Sequence, residues 1–83
     1  NLFYLRVLVN DKPGVMSEVT GILGKNQVSL ASVLQKHRLT PVVPLVLVTH
    51  PVKEKNLNNS LEELRALKNV KSIESVIRVV EDF

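Results

Sequence analysis

The hydrophobic period of this chain changes across Asn10-Asp11-Lys12-Pro13-Gly14-Val15-Met16, and that change constrains the fold more than any other feature. Before it, Phe3, Leu5, Val7 and Val9 alternate with Leu2, Tyr4, Arg6 and Leu8, the period of two that marks a strand. After it, Val15, Val19, Ile22 and Leu23 recur at i, i+4, i+7 and i+8, one stripe of a helix. One strand face must therefore meet helices. The other carries Leu2, Tyr4 and Leu8, too apolar for open water, with Arg6 satisfied at its margin.

The turn itself has chemistry. Pro13 has a fixed φ and no N–H, which suits the first helical turn and leaves the N–H groups of Gly14, Val15 and Met16 as the next free donors. Gly14 lets a ligand approach the main chain, and the positive end of the helix dipole favours a carboxylate there. Asp11 is placed to face an ammonium, so a small zwitterion such as an amino acid finds both partners within one turn. The plainer reading makes Asp11 an Asx-turn or N-cap residue and Pro13-Gly14 mere punctuation.

The rest of the chain supplies four more elements. Gly24, Lys25 and Asn26 end the first helix, and Gly21 within it is expected to mark close packing on the sheet. Val28 to Lys36 reads as a second strand. A hairpin connection over Arg38-Leu39-Thr40-Pro41 leads into Val42 to Thr49, where Pro44 delays the expected regular pairing to about Leu45. From Lys53, Leu57, Leu61, Leu64 and Leu67 form a helical stripe, with Asn69 as a left-handed residue after its end. Last, Ile73, Ser75, Ile77 and Val79 alternate with Glu74, Val76, Arg78 and Val80. The order βαββαβ predicts an α+β fold, a ferredoxin-like sandwich in which a four-stranded antiparallel sheet carries both helices on one face. Its other face, left bare and apolar, is expected to pair with a second copy or a sister domain.

At 83 residues the chain is read as one domain, residues 1–83, and a domain of this size buries only roughly 60–65% of its extended-state surface. With no cysteine it has neither disulfides nor thiolate metal sites, and it is expected to be cytoplasmic. No apolar run approaches a membrane span, and no charged-then-apolar leader precedes the first strand, so no membrane partner is expected. The net charge of +3 is dispersed without a block, and only charges gathered on one face would favour nucleic acid. Opening on Asn and directly on a strand, the chain is expected to be a piece of a longer polypeptide.

No catalytic grouping emerges. His37 and His50 fall in different connections and read as polar caps at strand ends, so no metal site is expected. The serines lack a nucleophile-elbow context, Glu62 and Glu63 read as a solvated helix face, and Glu81 and Asp82 as a polar tail. RNA-recognition modules share the βαββαβ order but stack bases on aromatics of the two central strands; Phe3 and Tyr4 lie on opposite faces and the third strand has none, so no nucleic-acid partner is expected.

The segments Leu5 to Met16, Ile22-Leu23-Gly24 and Val28-Ser29-Leu30 resemble the ACT domains, small ligand-sensing modules attached to enzymes of amino-acid metabolism. With Val43-Pro44-Leu45-Val46-Leu47-Val48-Thr49-His50 added, the likeness narrows to the C-terminal ACT domain of the homoserine dehydrogenases. The resemblance implies pairing with another ACT domain, side by side or through sheet faces, as a homodimer or higher homo-oligomer. It implies an effector between the first loop of one copy and the start of the second strand of its neighbour: Asn10, Asp11, Gly14, Val15 and Met16 from the first, Ser29 and Leu30 from the second. Some serine-sensing members have Asn where this chain has Ser29. Threonine, the end product of the dehydrogenase's pathway, is the first effector expected.

The expectation is thus an allosteric amino-acid-sensing domain, with a purely structural dimerisation module as the alternative. No cofactor is expected on these residues, which carry no glycine-rich nucleotide fingerprint; NAD(P) would belong to a parent enzyme's catalytic region.

Overall fold

A computed structural model describes residues 1–36 and 40–80. The elements run β1 (Leu2–Asn10), α1 (Val15–Lys25), β2 (Leu30–Gln35), β3 (Val42–Thr49), α2 (Glu54–Ala66) and β4 (Val70–Val79). The strands form one antiparallel sheet in the order β2-β3-β1-β4, which is the expected ferredoxin-like βαββαβ sandwich. His37, the Arg38-Leu39 part of the hairpin connection, and the Glu81-Asp82 tail lie outside the described residues.

Strand alternation decides what is buried. Phe3, Leu5, Val7 and Val9 of β1 join Val43, Leu45 and Leu47 of β3 under Val15, Val19 and Leu23 of α1 and Leu57, Leu61 and Leu64 of α2. Thr49 and Ser60 are the polar residues buried with this layer among the described residues, and Thr49 has a partner in β1. Its Oγ1 accepts the Phe3 N–H at 3.0 Å just beyond the point where β1–β3 pairing starts, so a side chain stands in for a main-chain acceptor. On the opposite face Leu2, Tyr4, Leu8, Val42, Val46 and Val48 are half-buried, while Leu34 and Ile77 are 53% and 51% exposed. Arg6 lies among them with its Nε 2.9 Å from Glu74 Oε1, the marginal partner its position requires.

Several boundaries differ from the sequence expectation. Regular pairing in β3 begins at Val42 and includes Pro44, opposite Leu8. The Pro44 carbonyl accepts the Lys36 N–H at 3.3 Å, so Pro44 turns its donor-free nitrogen toward the same side, where β2 is ending and no ladder bond is lost. Strand β2 starts at Leu30; Val28 precedes it as a buried anchor. Gly21 is exposed, and a Cβ there would meet nothing within 4 Å, so it marks no close contact. After α1 the left-handed residue is Gln27, at φ 64°. Asn69 is not left-handed, because α2 stops at Ala66 and leaves Leu67 extended, packed against the core. In β4 the period of two breaks: register irregularities place Ile73 opposite Val7 on the helix side but Ser75, Ile77 and Val79 opposite Arg6, Tyr4 and Leu2 on the bare side.

Candidate functional site

The loop between β1 and α1 opens on a pocket of about 360 Å³ on the helix side of the sheet. Val9 and Leu45 belong to its floor, Asn10 to Met16 wrap its rim, and Gln35 closes it from β2. Gln35 pairs with Leu45, so its side chain projects to the same face. Its Nε2 donates to Asp11 Oδ1 at 3.4 Å.

Main-chain bonds hold the rim in place. The Asp11 N–H donates to the Pro41 carbonyl at 2.8 Å, which fixes the loop to the start of β3. The Lys12 N–H reaches the Asn10 carbonyl at 3.0 Å, a tight local turn. Gly14 then takes φ 86°, a conformation suited to glycine, and acts as the N-cap of α1 with no side-chain cap bond. The helix begins at Val15, so Pro13 stands before the first helical turn and not in it, and Asp11 is not the N-cap. The Val15 N–H is engaged by the Lys12 carbonyl at 3.3 Å. Among the described residues the N–H groups of Gly14, Met16 and Ser17 have no protein acceptor, so Ser17 takes the place of Val15 in the expected set of free donors.

The structure thus gathers Asn10, Asp11, Gly14, Val15 and Met16 around one pocket. It leaves Ser29 and Leu30 at the other end of β2, about 16 Å along the strand from Gln35. Sequence reasoning missed Gln35 and Leu45. In the sequence Leu45 reads as strand with no face marked, and Gln35 carries no motif; the parity of β2 against β3 is the available signal. Chemically, the pocket combines an acceptor-only carboxylate, unpaired main-chain donors at the positive end of a helix, a carboxamide and an apolar floor. No group of three or more His, Cys, Asp or Glu among the described residues could hold a metal ion. No helix there is long and apolar enough to cross a membrane.

Comparison with known proteins gives the same topology a family. The family model described as "ACT domain" matches residues 3–69. The chain belongs to the ACT domain family. Among curated relatives, this ACT domain is 38% identical over 78 residues to homoserine dehydrogenase from Helicobacter pylori and 41% identical over 78 residues to that from Synechocystis, covering 93% and 94% of the chain. The ACT domain spans 18% of the length of each of these relatives. A homoserine dehydrogenase from Thiobacillus denitrificans superposes with a TM-score of 0.80 at 32% identity, over 94% of this chain and 16% of that one. The ACT domain of GTP pyrophosphokinase from Chlorobium tepidum shares the fold, with a TM-score of 0.73 at 18% identity over 92% and 96% of the two chains.

Proposed function

We propose that this ACT domain is the regulatory, amino-acid-sensing and dimerising part of a homoserine dehydrogenase, with threonine as its effector. The observation that carries the reading is the pocket at the start of α1, where donors without protein acceptors stand beside Asp11. An effector carboxylate takes the N–H groups of Gly14, Met16 and Ser17, and its ammonium faces Asp11. A short hydroxylated side chain fits between Gln35 and the Leu45 floor. Dehydrogenase chemistry and its NAD(P) belong to sequence beyond these residues.

The pocket is open, and a second copy completes it. Strand β2 is an edge strand with no charged residue between Leu30 and Gln35, so nothing in its sequence guards it against pairing. Pairing there brings Ser29 and Leu30 of a neighbour toward the loop. An effector bridging two copies shifts an attached catalytic region only by its difference in affinity between the two arrangements of the pair.

The apolar bare face of the sheet favours a second reading, a structural dimerisation module without a ligand. Titrating the chain with threonine and other amino acids while following the Gly14, Val15 and Met16 amides separates the two. Sensing predicts saturable shifts that Asp11→Ala abolishes without changing the dimer. Flat titrations at millimolar amino acid leave only the assembly role.

A further inference from the structure

One carboxamide outside the pocket ties together the two elements that flank it. Asn69, between α2 and β4, accepts the Asn10 N–H at its carbonyl at 2.8 Å. Its side-chain Oδ1 accepts from Asn10 Nδ2 at 3.2 Å, and its Nδ2 donates to Glu18 Oε1 at 3.3 Å. The polarity of this chain of bonds follows from Glu18: a carboxylate only accepts, so Asn69 must turn its nitrogen to Glu18 and its oxygen to Asn10.

Glu18 is the acid of the first turn of α1, and its own N–H donates to the Gly14 carbonyl at 3.0 Å. Side chains on a helix lean back toward its N-terminus, which for Glu18 is the direction of the free N–H groups at Gly14, Met16 and Ser17. A carboxylate there competes with any anionic ligand for those donors and repels it. Glu18 is not among the residues that line the pocket, and Asn69 is the side chain that holds its carboxylate.

We propose that Asn69 is a positioning residue for the effector site: it retains the Glu18 carboxylate away from the helix start and fixes Asn10 at the end of β1, so that the donors stay open to ligand. This rests on the amino-acid-sensing reading for its consequence, but not for its geometry. It also adds a side-chain link to the main-chain pairing of Val9 with Val70 that already ties the site to the start of β4.

The test compares Asn69→Ala, Asn69→Asp and the double variant Asn69→Asp/Glu18→Gln by threonine titration and by ligand-free amide exchange at Gly14, Met16 and Ser17. Removing the carboxamide is expected to weaken binding about 3- to 10-fold, the range for one or two hydrogen bonds lost. Asn69→Asp is expected to weaken it further, because two carboxylates then face each other and Glu18 is driven to the helix start. The double variant restores a donor at residue 18 facing an acceptor at residue 69, with the polarity of the bond reversed, and is expected to recover to within about 2-fold of the parent. Asn69→Asp binding as tightly as the parent, or a folded double variant that stays as weak as Asn69→Asp, overturns the proposal. Should the parent bind no amino acid, the sensing reading fails by itself. Exchange then decides: altered rates at Gly14, Met16 and Ser17 in Asn69→Asp that return in the double variant uphold the positioning role, and unaltered rates end it.

Discussion

Gln35 and Asp11 are 24 positions apart in sequence, yet the Gln35 Nε2 lies 3.4 Å from Asp11 Oδ1 across the mouth of the pocket. The bond is long and exposed, so it contributes little to stability; it aims an acid and a carboxamide at the same volume. Gln35→Ala is expected to leave the urea midpoint nearly unchanged and weaken threonine about 3- to 10-fold. Gln35→Glu, which sets a second carboxylate beside Asp11 and faces the effector's own, is expected to weaken it more. Equal affinity in all three proteins, measured by titration calorimetry, would remove Gln35 from the site.

Gly14→Ala separates backbone strain from steric clash. A Cβ at Gly14 meets no atom within 4 Å, but the φ of 86° is unfavourable for an L-residue. The expected loss is about 1–2 kcal/mol in urea unfolding, with no change in the m-value.

Thr49→Val keeps the shape of a buried side chain and removes the acceptor for the Phe3 N–H. An unsatisfied buried donor costs about 1–3 kcal/mol, whereas Thr49→Ser retains the bond and loses mainly a methyl group. Denaturation is expected to rank the parent first, serine next and valine last. A valine variant as stable as the parent shows that Phe3 finds another acceptor.

Acid is expected to loosen the contact between the helices. The Asn26 side-chain amide and then the Lys25 ammonium, which bond its two oxygens, hold the Glu63 carboxyl below its usual value. A carboxyl depressed on folding stabilises the fold above its unfolded pKa. That contribution fades as pH falls from about 4.3 through the lower folded value. Melting temperatures of the parent and Glu63→Gln are therefore expected to differ at pH 6 and converge toward pH 2; a constant gap across that range contradicts this.

Ile77 stands opposite Tyr4 on the bare face, half exposed. Ile77→Glu is expected to change monomer stability by less than about 0.5 kcal/mol, since the side chain has little packing to lose within one chain. Sedimentation is expected to show weaker self-association if the sheet faces meet. Undiminished association assigns the contact to the β2 edge instead.

Much of the architecture was legible because it depends on period. The alternation of Phe3 to Val9 and the stripe Val15, Val19, Leu23 are properties of consecutive residues, and burial followed them. The loop was legible too, since proline restricts the backbone and glycine frees it wherever they stand. Less legible were positions where a neighbour overrides local preference. Pro44 sits in a paired strand because β2 ends beside it, and Ile73 changes face because β4 is irregular against β1.

By itself, the sequence determined the order of elements, the core stripes and a turn rich in unpaired main-chain donors, because each arises from interactions within a few residues. Only the tertiary structure decided that Gln35 and Leu45 join that turn and that Asn69 holds both Asn10 and Glu18. The physical reason is register: which side chains share a face across strands depends on hydrogen bonds between segments far apart in the chain, and a shift of one residue would turn each of them to the other side.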